Sequence, residues 1–282
     1  MNRGRHDFYF LDLPETKLLF EIFRKGGIEA RFVGGCVRDA LIGKVTDDFD
    51  VAVNSEIENV KSLIESEGIS CVSKWVKYGS VTVIIGSVKF EITSLRKDDE
   101  CYGRGSKISS VTSFEEDAKR RDFTINALYV SETGELFDYF GGVLDILARR
   151  VIFIGDPKTR MEEDYLRILR YYRFCAKFED VVDRYCDIVK EKAKKLCTLS
   201  IERIQKELFL ILEENFNLKI FELIKKNGVF SEINIENYSK LLQMEKSPSV
   251  ELKAYALFGY DLLMHKFKLS KSLKNKIKGL VK

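Results

Sequence analysis

Two aspartates, Asp48 and Asp50, stand two residues apart in the β-rich run Asp48-Phe49-Asp50-Val51-Ala52-Val53. A strand repeats every two residues, so both carboxylates project from one face while Phe49, Val51 and Val53 project from the other. Neighbouring carboxylates repel unless a cation lies between them, and an all-oxygen ligand set favours Mg²⁺ over softer metals. The bland alternative is a solvent-facing acidic strand edge, against which the apolar opposite face argues. A third acid, Glu91, interrupts the otherwise apolar run Lys89-Phe90-Glu91-Ile92-Thr93. It would complete a metal cage, although alternation alone also places a glutamate on a solvated face.

Upstream, Arg31-Phe32-Val33-Gly34-Gly35-Cys36-Val37-Arg38 joins a strand to a helix through two glycines. Gly34 and Gly35 let backbone amides approach and cradle a phosphate, and Arg38 adds a fixed charge in the first helical turn. An ordinary glycine turn has the same sequence. Downstream, in Arg120-Arg121-Asp122-Phe123-Thr124-Ile125-Asn126, Arg121 is a candidate phosphate ligand and Asp122 a candidate acceptor for a ribose hydroxyl; the alternative is a helix end with an internal ion pair. Further on, a helix is expected over 158–178, and within it Asp164, Arg167 and Arg170 recur at i, i+3 and i+6 on one face. An acceptor beside fixed donors suits the pairing edge of a base, and an exposed salt bridge is the competing reading.

These residues need elements to hold them. Hydrophobic spacing predicts a helix over 14–25 stopped by Gly26-Gly27, a strand over 28–33, a short helix over 37–42, a strand over 48–53 and a helix over 56–66. Strands follow over 80–85 and 88–94 with Gly86-Ser87 as a hairpin turn, then a polar stretch, 97–113, expected as a mobile loop, and strands over 126–130 and 136–139. Beyond residue 145 helical periodicity dominates, over 182–196, 201–214 and 218–226 among others. The chain therefore reads as an α+β head, residues 1–144, followed by an all-helical remainder, residues 145–282.

Composition narrows the possibilities. Of 282 residues 45% are apolar and 32% charged, with only 3 prolines, which describes a globular chain with a real core. Six cysteines without a C-x-x-C pair and two histidines make a zinc site improbable, and a reducing cytoplasm is the default setting. No run of 18 apolar residues predicts a membrane span, and neither G-x-x-x-x-G-K-[ST] nor G-x-G-x-x-G occurs. A net charge of +3 says little, but seven lysines and no acid fall between Lys266 and Lys282. That end reads equally as a solvated amphipathic helix or a phosphate-contacting surface.

Taken in order, G-G-x-V-R-D, the D-x-D strand, R-R-D-F-T-I-N-A-L, the run Asp138 to Asp145 and E-D-Y-L-R-I-L-R-Y-Y-R-F resemble the bacterial and eukaryotic class of CCA-adding tRNA nucleotidyltransferases and the related bacterial poly(A) polymerases. The resemblance covers roughly residues 30 to 178. It implies a polymerase-β-like nucleotidyltransferase head, a helical neck and body, and a tail that is expected here to be shortened or missing. It implies template-independent addition of CMP and AMP to the tRNA 3′ end from CTP and ATP, with two Mg²⁺ ions held by Asp48 and Asp50. Gly34, Gly35 and Arg38 would bind the triphosphate, Arg121, Asp122 and Asn126 the phosphate and sugar, Asp164 and Arg167 the incoming base, and Arg170 and Arg173 would orient the base or its helix. Where relatives carry an arginine-rich turn, Arg104 is followed here by Gly105-Ser106. Poly(A) addition, CC-only or A-only addition, nucleotidyl transfer to a small molecule and non-catalytic RNA binding are the competing readings.

Overall fold

The computed structural model describes residues 8–100, 107–110, 113–179, 182–214, 218–232, 249–261, 263–264 and 267–279. Its chain divides into two compact units, Met1–Ala148 with Ile152–Gly155, and Arg149–Val151 with Asp156–Lys282.

In the first unit, α1 (Pro14–Lys25) begins with Pro14, whose fixed φ suits the first helical position and which has no amide to leave unpaired. There follow β1 (Ala30–Val33), α2 (Gly35–Leu41), β2 (Asp48–Val53), α3 (Ile57–Ser66), β3 (Cys71–Val72), β4 (Ser80–Ile85) and β5 (Val88–Ser94). After them come β6 (Arg96–Glu100), β7 (Lys107–Ser110), α4 (Phe114–Lys119), β8 (Leu128–Ser131), β9 (Leu136–Asp138) and α5 (Gly142–Leu147). Seven strands form one mixed sheet in the order β3-β4-β5-β2-β1-β8-β9, in which β2 and β5 are parallel and the other neighbours antiparallel.

Alternation gives the sheet two different faces. Phe32, Phe49, Val51, Phe90, Ile92, Val81 and Val83 are fully or almost fully buried, and the rings of Phe10, Phe20, Phe32, Phe49 and Phe90 form a chain of contacts 4.5 to 6.1 Å apart. The opposite face is covered only in part. Val33, Ala52 and Tyr129 pack there with Phe114 and Ala118 of α4, while Asp48, Lys89 and Ile84 remain exposed.

Two sequence expectations change in this unit. Strand 126–130 starts later, because Thr124–Asn126 forms a 3₁₀ turn that spends the side chains of Thr124 and Asn126 on Asp145 and Asp122. Stretch 97–113, expected as a loop, contributes β6 and β7, an antiparallel pair with a register shift between Asp98 and Glu100. Arg104, Gly105 and Ser106 lie outside the described residues.

The second unit is helical: α6 (Pro157–Glu163), α7 (Leu166–Phe178), α8 (Cys186–Lys192), α9 (Ile201–Glu213), α10 (Leu218–Lys226), α11 (Val229–Glu232), and helices Val250–Asp261 and Lys271–Gly279. The single helix expected over 158–178 is broken at Asp164, whose backbone is extended (φ −154°, ψ 106°). Asp156 caps α6 by accepting from the Thr159 amide at 2.8 Å. In the lysine-rich end, the Leu273 amide donates to Ser270 Oγ, Ile277 is buried and Lys276 pairs with Glu251 at 2.8 Å. Its described part is thus an amphipathic helix docked by its apolar stripe. Among the described residues, no helix is long and apolar enough to cross a membrane.

Candidate active site

Parallel pairing of β2 with β5 sets Asp48 opposite Lys89 and Asp50 opposite Glu91. All four side chains leave the same face, because directly paired residues do. Asp48 is exposed, its carboxylate 3.1 Å from Lys89 Nζ. Asp50 is half-buried, and its carboxyl is pushed up to about 6. Burial is the main cause, with Glu91 and Asp48 adding to it and Arg121 opposing. A carboxylate that costs this much to ionise beside two other acids is what a bound cation would relieve, so the corner fits a divalent ion held by oxygens of Asp48 and Asp50. Among the described residues no three His, Cys, Asp or Glu side chains gather as a cage. Glu91, paired with Asp50 across the strands, raises the Asp50 carboxyl through its charge, and Mg²⁺ usually keeps several water or substrate oxygens in its shell.

Gly34 turns the chain from β1 into α2 with φ +74° and ψ −121°, a conformation open to glycine and strained for other residues. A Cβ placed there would stand 3.5 Å from Arg121 Nη1, 3.7 Å from the Asn126 carbonyl and 3.9 Å from Asp50 Oδ2. Those groups converge on the turn, and the missing side chain keeps the space between them open. The Gly34 amide donates to the Leu128 carbonyl at 3.2 Å, so it is committed to the sheet.

Arg38 is buried rather than offered to solvent. Its guanidinium donates to both carboxylate oxygens of Asp39, at 2.9 and 3.0 Å, and to Asn126 Oδ1 at 2.5 Å. Asn126 Nδ2 in turn donates to Asp122 Oδ1 at 2.9 Å, which also accepts from the Phe123 amide. Arg38, Asn126 and Asp122 are therefore brought together in one buried polar line beneath the glycine turn.

Arg121 is held from behind. Its Nε and Nη2 donate to Asp117 Oδ2 at 3.2 and 2.9 Å, and Nε also to Tyr129 Oη at 2.9 Å. Tyr129 donates to the same carboxylate oxygen at 2.7 Å, and Arg120 pairs with Oδ1. Burial opposes ionisation of Asp117, yet Arg121 and Arg120 hold its carboxyl well below the usual range. Asp117 was not singled out from sequence; its spacing four residues before Arg121, inside a helical turn, is the signal that points to it.

In the helical unit, Asp164 and Arg167 are not paired as an i, i+3 bridge. The Asp164 carboxylate accepts from the amide of Leu166, the first residue of α7, at 3.1 Å, and from Arg203 Nη2 at 2.6 Å. Arg167 Nη1 donates to Glu163 and, at 2.7 Å, to the Arg160 carbonyl. Arg170 and Arg173 both face Glu207 of α9, at 3.5 and 3.1 Å. The stripe drawn from one unbroken helix is thus corrected to a helix break, with Arg203, Glu163 and Glu207 as supports that helical spacing did not reveal.

The sheet order, the paired strand carboxylates and the glycine turn define a polymerase-β-like nucleotidyltransferase head. Residues 30–152 match the poly A polymerase head domain. The mitochondrial CCA tRNA nucleotidyltransferase 1 of Mus musculus is 37% identical over 254 residues, which cover 87% of this chain and 58% of the relative. The CCA-adding enzyme of Streptococcus gordonii is 37% identical over 220 residues, 77% of this chain and 54% of the relative. The structure of the Bacillus stearothermophilus CCA-adding enzyme in complex with CTP aligns with a TM-score of 0.76 at 25% identity, covering 95% of this chain and 68% of that one. A tRNA nucleotidyltransferase complexed with a primer tRNA and an incoming ATP analog gives 0.72 at 26%, covering 93% and 83%. Residues 30–152 thus carry a poly A polymerase head domain, and over most of its length the chain is similar to CCA-adding tRNA nucleotidyltransferases; nucleotidyltransferases of this kind generally use a divalent metal. It spans 50% to 58% of the length of the mitochondrial relatives from Danio rerio, Mus musculus and Homo sapiens.

Proposed function

We propose that this chain adds CMP and AMP to the 3′ end of tRNA without a nucleic-acid template, using CTP and ATP and releasing pyrophosphate. The observation that carries the reading is the convergence of Asp50, Arg121 and the side-chain-free Gly34 at one corner of the sheet, with Asp48 one pleat away. In this reading residues 1–144 are the transferase head and residues 145–282 the neck and body. A cytoplasmic setting belongs to it, supported by five described cysteines that carry free thiols.

Asp48 and Asp50 would hold two Mg²⁺ ions. Ions held by these carboxylates would supply activation of the RNA 3′ hydroxyl and neutralisation of charge on the transferring phosphoryl group and the departing pyrophosphate. The triphosphate lies along the Gly34-Gly35 turn, where no Cβ blocks it, and Arg121, braced by Asp117 and Tyr129, presents a fixed charge to it. Arg38 contributes by holding Asn126, which with Asp122 faces the sugar. Asp164 and Arg167 read the base: a carboxylate has about four acceptor positions and a guanidinium five donors, so the internal contacts leave hydrogen-bonding capacity over. Arg170 and Arg173 orient α7 through Glu207.

The test is incubation with tRNAs ending before CCA, after C and after CC, each with labelled CTP or ATP. CMP addition to the first two and AMP addition to the third supports the reading. Runs of AMP on any RNA end point to poly(A) synthesis, and a single competent step points to CC-only or A-only addition. No incorporation by the folded chain with Mg²⁺ present would overturn nucleotidyl transfer to RNA.

A further inference from the structure

Among the described residues, the aromatic rings left largely in solvent are Trp75, 46% exposed, and Tyr78, 43% exposed. They share the turn from β3 to β4, with centroids 5.8 Å apart. Each ring has its own cation, Lys74 Nζ 5.2 Å from the Trp75 centroid and Lys77 Nζ 4.8 Å from that of Tyr78. The turn is fixed in place. Tyr78 N donates to the Trp75 carbonyl at 2.8 Å, Gly79 closes the turn at φ +72°, and Arg96 Nη1 binds the Tyr78 carbonyl at 2.7 Å. Two preorganised rings, each nearly half exposed and with an ammonium beside it, present more apolar surface to water than packing of the head requires.

Strand register shows where this turn lies. Asp50 pairs with Glu91, Glu91 with Thr82 and Thr82 with Val72, so one row of side chains crosses the sheet from the carboxylates to the edge. A neighbouring row runs from Asp48 through Lys89 to Ile84. Both rows belong to the partly uncovered face, where Val72 and Ile84 are 51% and 55% exposed. Three interstrand spacings make the crossing roughly 14 Å. Trp75 follows Val72 by three residues, so the strip ends beside the aromatic turn, which adjoins the Ser94 end of β5, where the Ser94 amide donates to the Gly79 carbonyl at 3.0 Å, rather than the Asp48 end.

We propose that this strip is the track of the single-stranded end of the acceptor RNA, with one base stacked on Trp75, Tyr78 beside it, and Lys74 and Lys77 on flanking phosphates. The inference rests on the reading of RNA as the acceptor. An extended single strand needs both a π-face and a positive charge, and base–aromatic stacking beside basic side chains is how such strands are bound irrespective of sequence. A duplex keeps its bases within its own stack and has no use for an exposed indole. An apolar protein surface would leave the two ammonium groups without a partner.

Trp75 is the only tryptophan in the chain, so its emission reports the contact without a label. A short single-stranded oligoribonucleotide, and a tRNA lacking its terminal CCA, should quench it saturably. With end-labelled RNA followed by anisotropy, Trp75→Leu should weaken binding by about 10-fold. Lys74→Gln with Lys77→Gln should reduce the slope of log affinity against log salt by about 1. Should Trp75→Leu fail to fold, the quench and the lysine variant decide. RNA binding without a change in Trp75 emission and without loss in the variants overturns the track, and continued CMP and AMP incorporation would then leave the acceptor reading standing. Equal quenching by a blunt duplex overturns the single-strand assignment, and absence of any RNA binding overturns both.

Discussion

Arg203, 39 residues further along the chain, holds the carboxylate of Asp164 at 2.6 Å. Asp164 sits at a break between two helices, where its carboxylate also accepts from the first amide of α7. The Leu166 amide holds one carboxylate oxygen and Arg203 the other, so together they fix the direction of its remaining acceptor positions. If Asp164 and Arg167 select the base, Arg203 is a positioning residue for that selection.

Arg203→Gln should therefore act like loss of Asp164 itself. A bidentate contact contributes roughly 1 to 3 kcal/mol of discrimination, so incorporation of UTP or GTP relative to CTP should rise by about 10-fold in Arg203→Gln and in the Asp164→Ala, Arg167→Ala double variant. Single-nucleotide addition to tRNA lacking CCA, with all four triphosphates compared, gives the ratios. An unchanged ratio in folded Arg203→Gln would reduce the ion pair to a structural tie.

Asp50→Asn should separate stability from catalysis. The raised carboxyl of Asp50 means that the metal-free protein loses stability as pH rises from about 4 through about 6, the sign expected for an acid that prefers its protonated form when folded. Two units correspond to about 3 kcal/mol at most, and partial exposure reduces this to about 1 to 3. Without divalent ions, Asp50→Asn should melt higher than the parent at pH 7.5 and equally at pH 4. It should also gain less from added Mg²⁺ and lose at least about 100-fold in nucleotide addition. A lower melting temperature at pH 7.5 would contradict the burial argument.

Much of this corner could be read from sequence because strand alternation is local: the two-residue spacing of Asp48 and Asp50 survives in β2 unchanged. What sequence could not give is partnership across the chain. Arg38 in the helical turn after two glycines invites a charge aimed at phosphate, yet burial turns it onto Asn126, 88 residues away. The stripe through Asp164 looks helical because Leu166, Leu169 and Arg170 fit the period. A single residue in extended conformation breaks the helix, and the supports that replace i, i+3 contacts come from α9. Stretch 97–113 is polar and glycine-containing, but backbone pairing between β6 and β7 needs no apolar alternation to form a ribbon.

Asp117 should matter to folding before it matters to turnover. It is 1% exposed and receives hydrogen bonds from Arg120, Arg121 and Tyr129. Its depressed carboxyl contributes stability that is present above about pH 4 and lost as pH falls further. Asp117→Asn removes the buried negative charge that the partly covered guanidinium groups of Arg120 and Arg121 share, a loss of about 2 to 4 kcal/mol at pH 7. Urea unfolding at pH 7 and pH 3 should show the difference between variant and parent narrowing at the acid end. A constant difference would mean that packing, not charge, is what the carboxylate supplies.

Lys89 bears on how readily the corner takes up a cation. Its ammonium lies 3.1 Å from the Asp48 carboxylate and is drawn there by the same negative charge that would attract Mg²⁺. Both side chains are exposed, so the attraction is screened, and a flexible four-carbon stem lets the ammonium leave without moving β5. A tethered positive charge nevertheless has to withdraw, or be repelled, when a divalent ion binds to Asp48. Lys89→Met should therefore tighten Mn²⁺ binding to the full chain by about 3- to 10-fold, since removal of one exposed like charge is worth on the order of 1 kcal/mol. Calorimetric titration in the absence of nucleotide measures this directly, with Asp48→Asn as the variant in which ion binding should weaken. Affinity for Mn²⁺ that is unchanged in Lys89→Met while Asp48→Asn weakens it would show that the lysine yields the carboxylate at no cost. A fall in affinity would show instead that Lys89 helps to shape the ligand set.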